Sequence, residues 1–220
     1  MRATAVVPVK RFAVAKSRLG PGVEETRRPE LVTAMVADVL EAIAAARQVE
    51  RTIVVSQEPA AAELAAAAGA ELVSDFDDTS HSAAALAGAG AAETAGARCV
   101  ALLPGDCPLL DPNELDRLIT HGVQGRSALI VPDRHGSGTN ALLLTPPDSL
   151  EPAFGPGSRE RHVANARAAG TTPEVVGVPT LALDVDTPED LDALQVALSE
   201  RHGGAAHTRG MLRQLLRSRS

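Results

Sequence analysis

The chain has 220 residues, 45% of them hydrophobic, and a formal net charge of −7. A chain of this length and apolar content is expected to fold into one domain or at most two small ones, which excludes intrinsic disorder. The acidic balance and the absence of Trp and Tyr argue against nucleic-acid binding, and the longest apolar stretches are far shorter than the roughly 20 residues of a membrane span.

The N-terminal sequence favours a cytoplasmic location. The apolar run over residues 3–9 is interrupted by Pro8 and followed directly by Lys10, which is not the pattern of a secretory signal. The cysteines, Cys99 and Cys107, are too few for a four-ligand zinc site, so we expect them to be ordinary packing or loop residues.

Strand-like and helix-like hydrophobic patterns alternate along the chain. The predicted strands cover residues 3–9, 52–56, 71–74, 99–103, 128–132, 140–144, 175–178 and 181–184. The predicted helices cover residues 29–47, 59–68, 158–169 and 188–198, with two more after Thr79 and from about Pro112; Asp111 and Thr187 are the expected N-caps. This alternation predicts a single three-layer α/β/α domain with a mostly parallel sheet.

The last 20 residues differ from the rest in charge. Residues 201–220 contain five arginines and no acid, so they carry +5 while the preceding residues carry −12. We therefore expect residues 1–200 to form the domain and residues 201–220 to form a basic C-terminal tail. The tail is either a solvated or loosely docked helix or a contact with a partner.

Three aspartates follow predicted strands. Asp106 comes after the strand over residues 99–103, and Asp184 and Asp186 share one face of an extended segment. Ligands of open parallel sheets bind beyond the carboxyl ends of the strands, and carboxylate oxygens suit Mg²⁺. The sequence therefore predicts a Mg²⁺ site for phosphoryl or nucleotidyl transfer. The alternative is that Asp184 or Asp186 only caps the helix that begins at Pro188.

A basic segment follows the first strand. Residues 10–18 contain Lys10, Arg11, Lys16 and Arg18, and neither a P-loop nor a dinucleotide-binding glycine motif occurs in the chain. Four cations placed directly after the first strand predict binding of a triphosphate group. A solvated loop is the alternative.

Two glycine-rich turns complete the candidate site. Residues 133–140 lead into a strand, and residues 154–159 lead into a helix with Ser158 as its expected N-cap. Free amides at such a helix start bind anions, and Arg159 and Arg161 would add positive charge. The alternative is a turn with an ordinary cap.

Taken in order, these segments resemble the phospholactate/phosphoenolpyruvate guanylyltransferases. The resemblance runs over residues 3–195 and is carried by VPVKRFAVAKSRL at 7–19, LPGDCPL at 103–109, GTNA at 138–141, FGPGS at 154–158 and LDVDTPEDL at 183–191. It implies a glycosyltransferase-A-like nucleotidyltransferase fold. It also implies Mg²⁺-dependent transfer of GMP from GTP to a small phosphorylated three-carbon acid, with release of pyrophosphate, in coenzyme F-420 biosynthesis.

The resemblance also implies roles for individual residues. Asp106, Asp184 and Asp186 match the metal-binding acids, Thr139, Gly155 and Ser158 match the positions that hold the phosphorylated acid, and Lys10, Lys16 and Arg18 match the triphosphate loop, with Lys16, Arg18 and Asp106 as catalytic residues. Where the family reads Gly-Leu-Asn-x-Ala, Ala83 stands in place of the Asn. This departure leaves open the base or ribose contact there, and with it the choice of guanine.

The Ala- and Arg-rich composition resembles that of the high-GC actinobacterial relatives, and this resemblance implies phosphoenolpyruvate as the acceptor, giving enolpyruvyl-diphospho-guanosine. Three alternatives stay open: 2-phospho-L-lactate as the acceptor, another nucleotidyltransferase of the same fold such as a molybdenum cofactor guanylyltransferase, and a non-catalytic nucleotide-binding regulator. Expected partners are the two substrates, together with a second copy of the chain or a downstream pathway enzyme.

Overall fold

The computed structural model describes residues 2–12, 16–74, 80–122 and 125–217. The strands are β1 (Ala3–Pro8), β2 (Val49–Val55), β3 (Glu71–Val73), β4 (Val100–Leu102), β5 (Ser127–Pro132), β6 (Thr139–Thr145) and β7 (Thr172–Val175). The helices are α1 (Arg28–Ala45), α2 (Pro59–Ala67), α3 (His81–Thr94), α4 (Pro112–Gly122), α5 (Ser158–Ala168), α6 (Pro188–Glu200) and α7 (Ala206–Arg217). None of the described helices combines the length and apolar character needed to cross a bilayer.

The described strands form one seven-stranded sheet in the order β3-β2-β1-β4-β6-β5-β7. Strand β6 runs antiparallel to β4 and β5, and the other neighbours are parallel. The predicted mostly parallel α/β sheet is therefore confirmed. Because β6 is reversed, its first residues, Thr139 and Asn140, lie at the edge where β4 and β5 end.

Helices cover both faces of the sheet. The larger core joins one face to α1, α2, α4, α6 and α7, and the smaller core joins the other face to α3 and α5. Helix α3 packs through alanines, and at Gly88 a Cβ atom would lie 2.3 Å from Val6 Cγ1. The small residues of α3 therefore allow its backbone to approach β1 closely.

Two predicted strands near the C-terminus are corrected by the structure. The strand predicted over 175–178 lies too late in the chain, because β7 covers Thr172–Val175. Strand β7 is at the edge of the sheet and its side chains are not buried, so no apolar pattern marks its position. Residues 181–184 form no strand. Leu181 is the last residue of a 3₁₀ turn at Pro179–Leu181, and its carbonyl accepts from the Asn140 side chain at 2.7 Å rather than from a neighbouring strand.

Most of the predicted basic tail is a docked helix. Met211, Leu212 and Leu215 of α7 belong to the larger core, and α7 packs against α1. Asp38 on α1 accepts hydrogen bonds from the amides of His207 at 3.0 Å and Thr208 at 2.8 Å, which caps the start of α7. The predicted tail also includes residues 218–220, which lie outside the described residues.

Replacing Asp38 with Ala is expected to lower the free energy of unfolding by about 2 kcal/mol, because two amides at the start of α7 lose their acceptor. Urea denaturation measures the change. The control is Glu41→Gln, which removes the charge of an exposed carboxylate 2.8 Å from His207 Nε2 and is expected to cost less than about 0.5 kcal/mol. Equal losses in the two variants would contradict the capping role.

The side chains of Asp38, Glu41 and His207 lie close enough together to share a metal ion. The hydrogen bonds that Asp38 and Glu41 accept from His207 and Thr208 account for this cluster without an ion.

Candidate active site

Two adjoining cavities open at the edge of the sheet where β1 and β4 end. The first, called here the β6 cavity, has a volume of about 400 Å³ and is bounded by the start of β6 and the turn at 154–158. The second, the β1 cavity, has a volume of about 460 Å³ and is bounded by the end of β1, the loop after it and one side of α1. Arg18, His81, Asp106 and Asp186 line both cavities and therefore mark their junction.

The structure brings the three predicted aspartates together, with Asp106 and Asp186 at this junction and Asp184 beside it in the β6 cavity. Asp106 follows β4 through a Pro-Gly turn, and its carbonyl accepts a 3.2 Å hydrogen bond from the amide of Val185. This bond joins the loop after β4 to the segment that carries Asp184 and Asp186. All three aspartates line the β6 cavity.

Lys16 lies between two of these acids and pairs with both. Its Nζ donates to Asp106 and, at 2.7 Å, to Asp186 Oδ1, while Arg18 donates to the other carboxylate oxygen of Asp186. The Lys16 side chain is only 8% exposed. Burial alone would lower the pKa of the ammonium, but the two carboxylates raise that pKa above its ordinary range. Lys16 is therefore a fixed positive charge, whereas Lys10 is exposed at the rim of the β1 cavity.

Asp184 is the most crowded of the three acids. Burial raises the pKa of its carboxyl, the negative charges of Asp106 and Asp186 raise it further, and a 3.2 Å hydrogen bond from Asn140 opposes these effects. Asn140 also donates to the carbonyl of Leu181, so it holds the aspartate segment beside the start of β6. Asn140 lies in the GTNA motif at 138–141, but the sequence pattern predicts no role for its side chain.

The acids have the chemistry of a divalent-cation site. Three carboxylates face two cationic side chains at the junction, and the space between Asp106 and Asp186 holds the ammonium of Lys16. Asp106 and Asp186 are thus close enough to share one cationic group. Carboxylate oxygens beside room for phosphate oxygens are the ligands that Mg²⁺ prefers. The residues present therefore fit the predicted ion.

Thr139, Gly155 and Ser158 also line the β6 cavity, and none of the three lines the β1 cavity. The N-cap of α5 is Gly157, which has a φ of 68°, so the prediction of Ser158 as the N-cap is wrong. Ser158 is instead the first helical residue, is buried, and donates its amide to the carbonyl of Gly155 at 3.0 Å. The left-handed conformation at Gly157 starts the helix one residue earlier than a serine cap would.

The two arginines that follow this turn do not serve as expected. Arg161 donates to the backbone carbonyls of Ala153, Phe154 and Pro156, so its guanidinium holds the turn together. Arg159 lines neither cavity among the described residues. The predicted attraction of an anion by these two side chains is therefore not supported.

Asp190 fixes the backbone beside the metal-site acids. Its Oδ2 accepts from the amides of Asp186 at 3.0 Å and Thr187 at 2.8 Å. The Thr187 hydroxyl in turn accepts from the amide of Asp190, which makes Thr187 the N-cap of α6. Arg134, on the turn before β6, pairs with the other oxygen at 2.5 Å. The predicted Thr187 cap is confirmed, and Asp190 and Arg134 extend it into a link between two sides of the β6 cavity.

The ring of Phe154 contacts two histidine rings, His81 at the start of α3 and His162 of α5. Phe154 makes edge contacts with His81 and with His162, at centroid distances of 4.8 Å and 5.1 Å. Burial lowers the pKa of His81, against the opposing charge of Asp106. Ala83, which departs from the family pattern, donates its amide to Ser80 Oγ and lines neither cavity among the described residues. His81 therefore occupies the junction without having been predicted there.

Comparison with known proteins identifies a family over nearly the whole chain. A family model described as "Guanylyl transferase CofC like" matches residues 3–218. A phosphoenolpyruvate guanylyltransferase from Conexibacter woesei is 45% identical over 219 residues, which cover 99% of this chain and 98% of the relative. One from Sphaerobacter thermophilus is 40% identical, with coverages of 88% and 93%. A 2-phospho-L-lactate guanylyltransferase from Methanothermobacter thermautotrophicus is 32% identical, with coverages of 98% and 92%.

Solved structures share the fold at low sequence identity. A protein from Desulfovibrio desulfuricans G20 assigned as a nucleotide-diphospho-sugar transferase superposes with a TM-score of 0.76 at 18% identity, covering 99% of this chain and 98% of that chain. A nucleotidyl transferase from Methanothermobacter thermautotrophicus gives a TM-score of 0.62 at 20% identity, covering 90% and 98%. The predicted nucleotidyltransferase fold is thereby confirmed.

Proposed function

Because this chain belongs to the CofC-like guanylyl transferase family, we propose that it transfers GMP from GTP to phosphoenolpyruvate, in the biosynthesis of coenzyme F-420. The products are enolpyruvyl-diphospho-guanosine and pyrophosphate. The observation that carries the proposal is the meeting of two cavities at Asp106 and Asp186, where acids and cations face each other. Phosphoenolpyruvate is the first choice of acceptor because the relatives at 45% and 40% identity bear that name, and the phospholactate enzyme is at 32%.

GTP is assigned to the β1 cavity. Lys10 at the rim and Lys16 and Arg18 at the junction supply positive charge for a triphosphate. The end of β1 and the apolar side of α1, at Val32 and Val36, provide the remaining wall. In this arrangement the α-phosphate lies nearest the junction, where it can be reached from the β6 cavity.

The acceptor is assigned to the β6 cavity. The hydroxyl groups of Thr139 and Ser158 and the backbone of Gly155 are small polar groups suited to phosphate and carboxylate oxygens. Gly155 has a φ of 108°, and its amide donates to no acceptor in the part of the chain that the structure describes. That amide is therefore free to donate to the acid.

Transfer needs one bond to form and one to break. An oxygen of the acceptor phosphate attacks the α-phosphorus of GTP, and the bond from that phosphorus to the oxygen of the β-phosphate breaks, releasing pyrophosphate. Asp106, Asp184 and Asp186 would hold Mg²⁺, which when bound neutralises charge on the reacting phosphates. The attacking oxygen is already anionic at neutral pH, so the site needs no general base. Lys16 and Arg18 stabilise the charge that the leaving pyrophosphate gains.

The test is pyrophosphate release from GTP and Mg²⁺ with phosphoenolpyruvate, with 2-phospho-L-lactate, and without an acceptor. We expect release that depends on an acceptor and is faster with phosphoenolpyruvate. A preference for phospholactate would overturn the choice of substrate. Binding of GTP without release from either acceptor would instead support the regulatory alternative. ATP and CTP in parallel reactions test the choice of base, which Ala83 leaves open.

A further inference from the structure

We propose that His162 is a positioning residue that fixes the Thr139 hydroxyl group as a hydrogen-bond donor to the phosphorylated acceptor. The inference rests on the proposed function, because it assigns a task to one side chain of the acceptor cavity. His162 does not reach that cavity, so it acts only through Thr139.

His162 is fully buried and both ring nitrogens have protein partners. Nε2 lies 2.8 Å from the backbone nitrogen of Ala153, and Nδ1 lies 3.0 Å from Thr139 Oγ1. The residue has an exposed fraction of 0%, and its ring makes a T-shaped contact with the ring of Phe154. The imidazole is therefore held in one orientation by two hydrogen bonds and a ring contact.

The Ala153 amide determines where the ring proton is. A backbone N–H can only donate, so Nε2 must be the unprotonated nitrogen that accepts. In a neutral imidazole the proton is then on Nδ1, which donates to Thr139 Oγ1. Burial lowers the pKa of His162 to about 4, with a further contribution from the charge of Arg161, so the ring stays neutral near pH 7.

This arrangement leaves the Thr139 hydroxyl one role. Its oxygen accepts from His162, and its hydrogen has no acceptor among the side chains and backbone groups that the structure describes. Thr139 lines the β6 cavity, where the acceptor presents phosphate and carboxylate oxygens. A hydroxyl group whose oxygen is already satisfied can direct its hydrogen to an anion without having to reorient.

Three variants separate this role from simple packing. His162→Leu removes both hydrogen bonds and is expected to raise the KM for phosphoenolpyruvate about 10- to 100-fold, with the KM for GTP within about threefold of wild type. His162→Gln keeps an amide oxygen and an amide N–H on one side chain and is expected to restore most of the affinity for the acceptor. Thr139→Val removes the hydroxyl group itself.

The decisive comparison is His162→Leu in the Thr139→Val background. If His162 acts through the hydroxyl, its loss costs less than about twofold once the hydroxyl is gone. A purely structural role would cost the same factor in both backgrounds and would overturn the inference. Ser82→Ala is the matched control, because the Ser82 hydroxyl accepts from the Phe154 amide at 2.8 Å and anchors the same turn without touching Thr139. Its effect should be equal in the two backgrounds.

Nuclear magnetic resonance of the protein with ¹⁵N-labelled histidine provides a measurement that is independent of turnover. We expect His162 to carry its proton on Nδ1 at pH 7 and its resonances to shift when phosphoenolpyruvate is added. A proton on Nε2, or no shift on adding the acid, would overturn the inference. Failure of the wild-type protein to release pyrophosphate, while phosphoenolpyruvate still shifts the His162 resonances, would count against the proposed function and not against the role of His162.

Discussion

Replacing Asp106 with Asn is expected to lower the turnover for pyrophosphate release about a thousandfold, which corresponds to about 4 kcal/mol of transition-state stabilisation. Asp106 lines both cavities, pairs with Lys16 and is one of three acids assigned to the metal ion. The amide side chain keeps the size of the aspartate but removes the charge that holds a cation. The backbone carbonyl that accepts from Val185 is unchanged, so the loop after β4 is expected to keep its fold.

The measurement is steady-state turnover with saturating GTP and phosphoenolpyruvate, with urea denaturation of the same preparation. The free energy of unfolding should stay within about 1 kcal/mol of wild type. Asp148→Asn is the matched control, because Asp148 pairs with Arg126 at 3.2 Å on the surface and lines neither cavity. It should leave turnover unchanged. Full activity in folded Asp106→Asn protein would remove this residue from the metal site.

Replacing Lys16 with Ala is expected to lower kcat/KM for GTP about a hundredfold, which corresponds to about 3 kcal/mol. The substitution removes a buried, fixed positive charge from the junction and leaves Asp106 and Asp186 facing each other without the ammonium between them. The KM for phosphoenolpyruvate should change much less, because Lys16 does not line the β6 cavity.

Arg11→Ala is the control for this loop. Arg11 is a cation of the same segment, but its guanidinium bonds to Gln57 at 3.2 Å and it lines neither cavity. We expect its removal to change kcat/KM for GTP less than about twofold. Unchanged kinetics in Lys16→Ala would contradict the assignment of the whole loop to the triphosphate.

The sequence predicted those parts of the fold that depend on local pattern. Buried strands such as β4 read as continuous apolar runs, and Thr187 followed by Asp190 is the pattern of a capping box. The three aspartates could be placed because each follows a strand or strand-like run, and the ends of parallel strands meet at one edge of the sheet. The structure places all three aspartates in the β6 cavity, although the strand predicted directly before Asp184 and Asp186 is not formed.

The remaining features depend on contacts between distant segments. Whether residues 181–184 form a strand depends on a ladder partner, and Asn140 instead takes the carbonyl of Leu181. The pairing of Lys16 with Asp186 joins residues 170 positions apart. His162 looks like an ordinary helix residue in the sequence, and its role depends on Thr139 from another element. No local pattern contains these partners.

The chemical identity of the product tests the proposed transfer most directly. Wild-type protein with GTP, Mg²⁺ and phosphoenolpyruvate would be followed by ³¹P nuclear magnetic resonance and mass spectrometry. We predict one equivalent of pyrophosphate for each molecule of a new diphosphate diester that joins GMP to the phosphate of phosphoenolpyruvate. Recovery of unchanged GTP, or its conversion only to GDP and phosphate, would contradict the proposed guanylyl transfer.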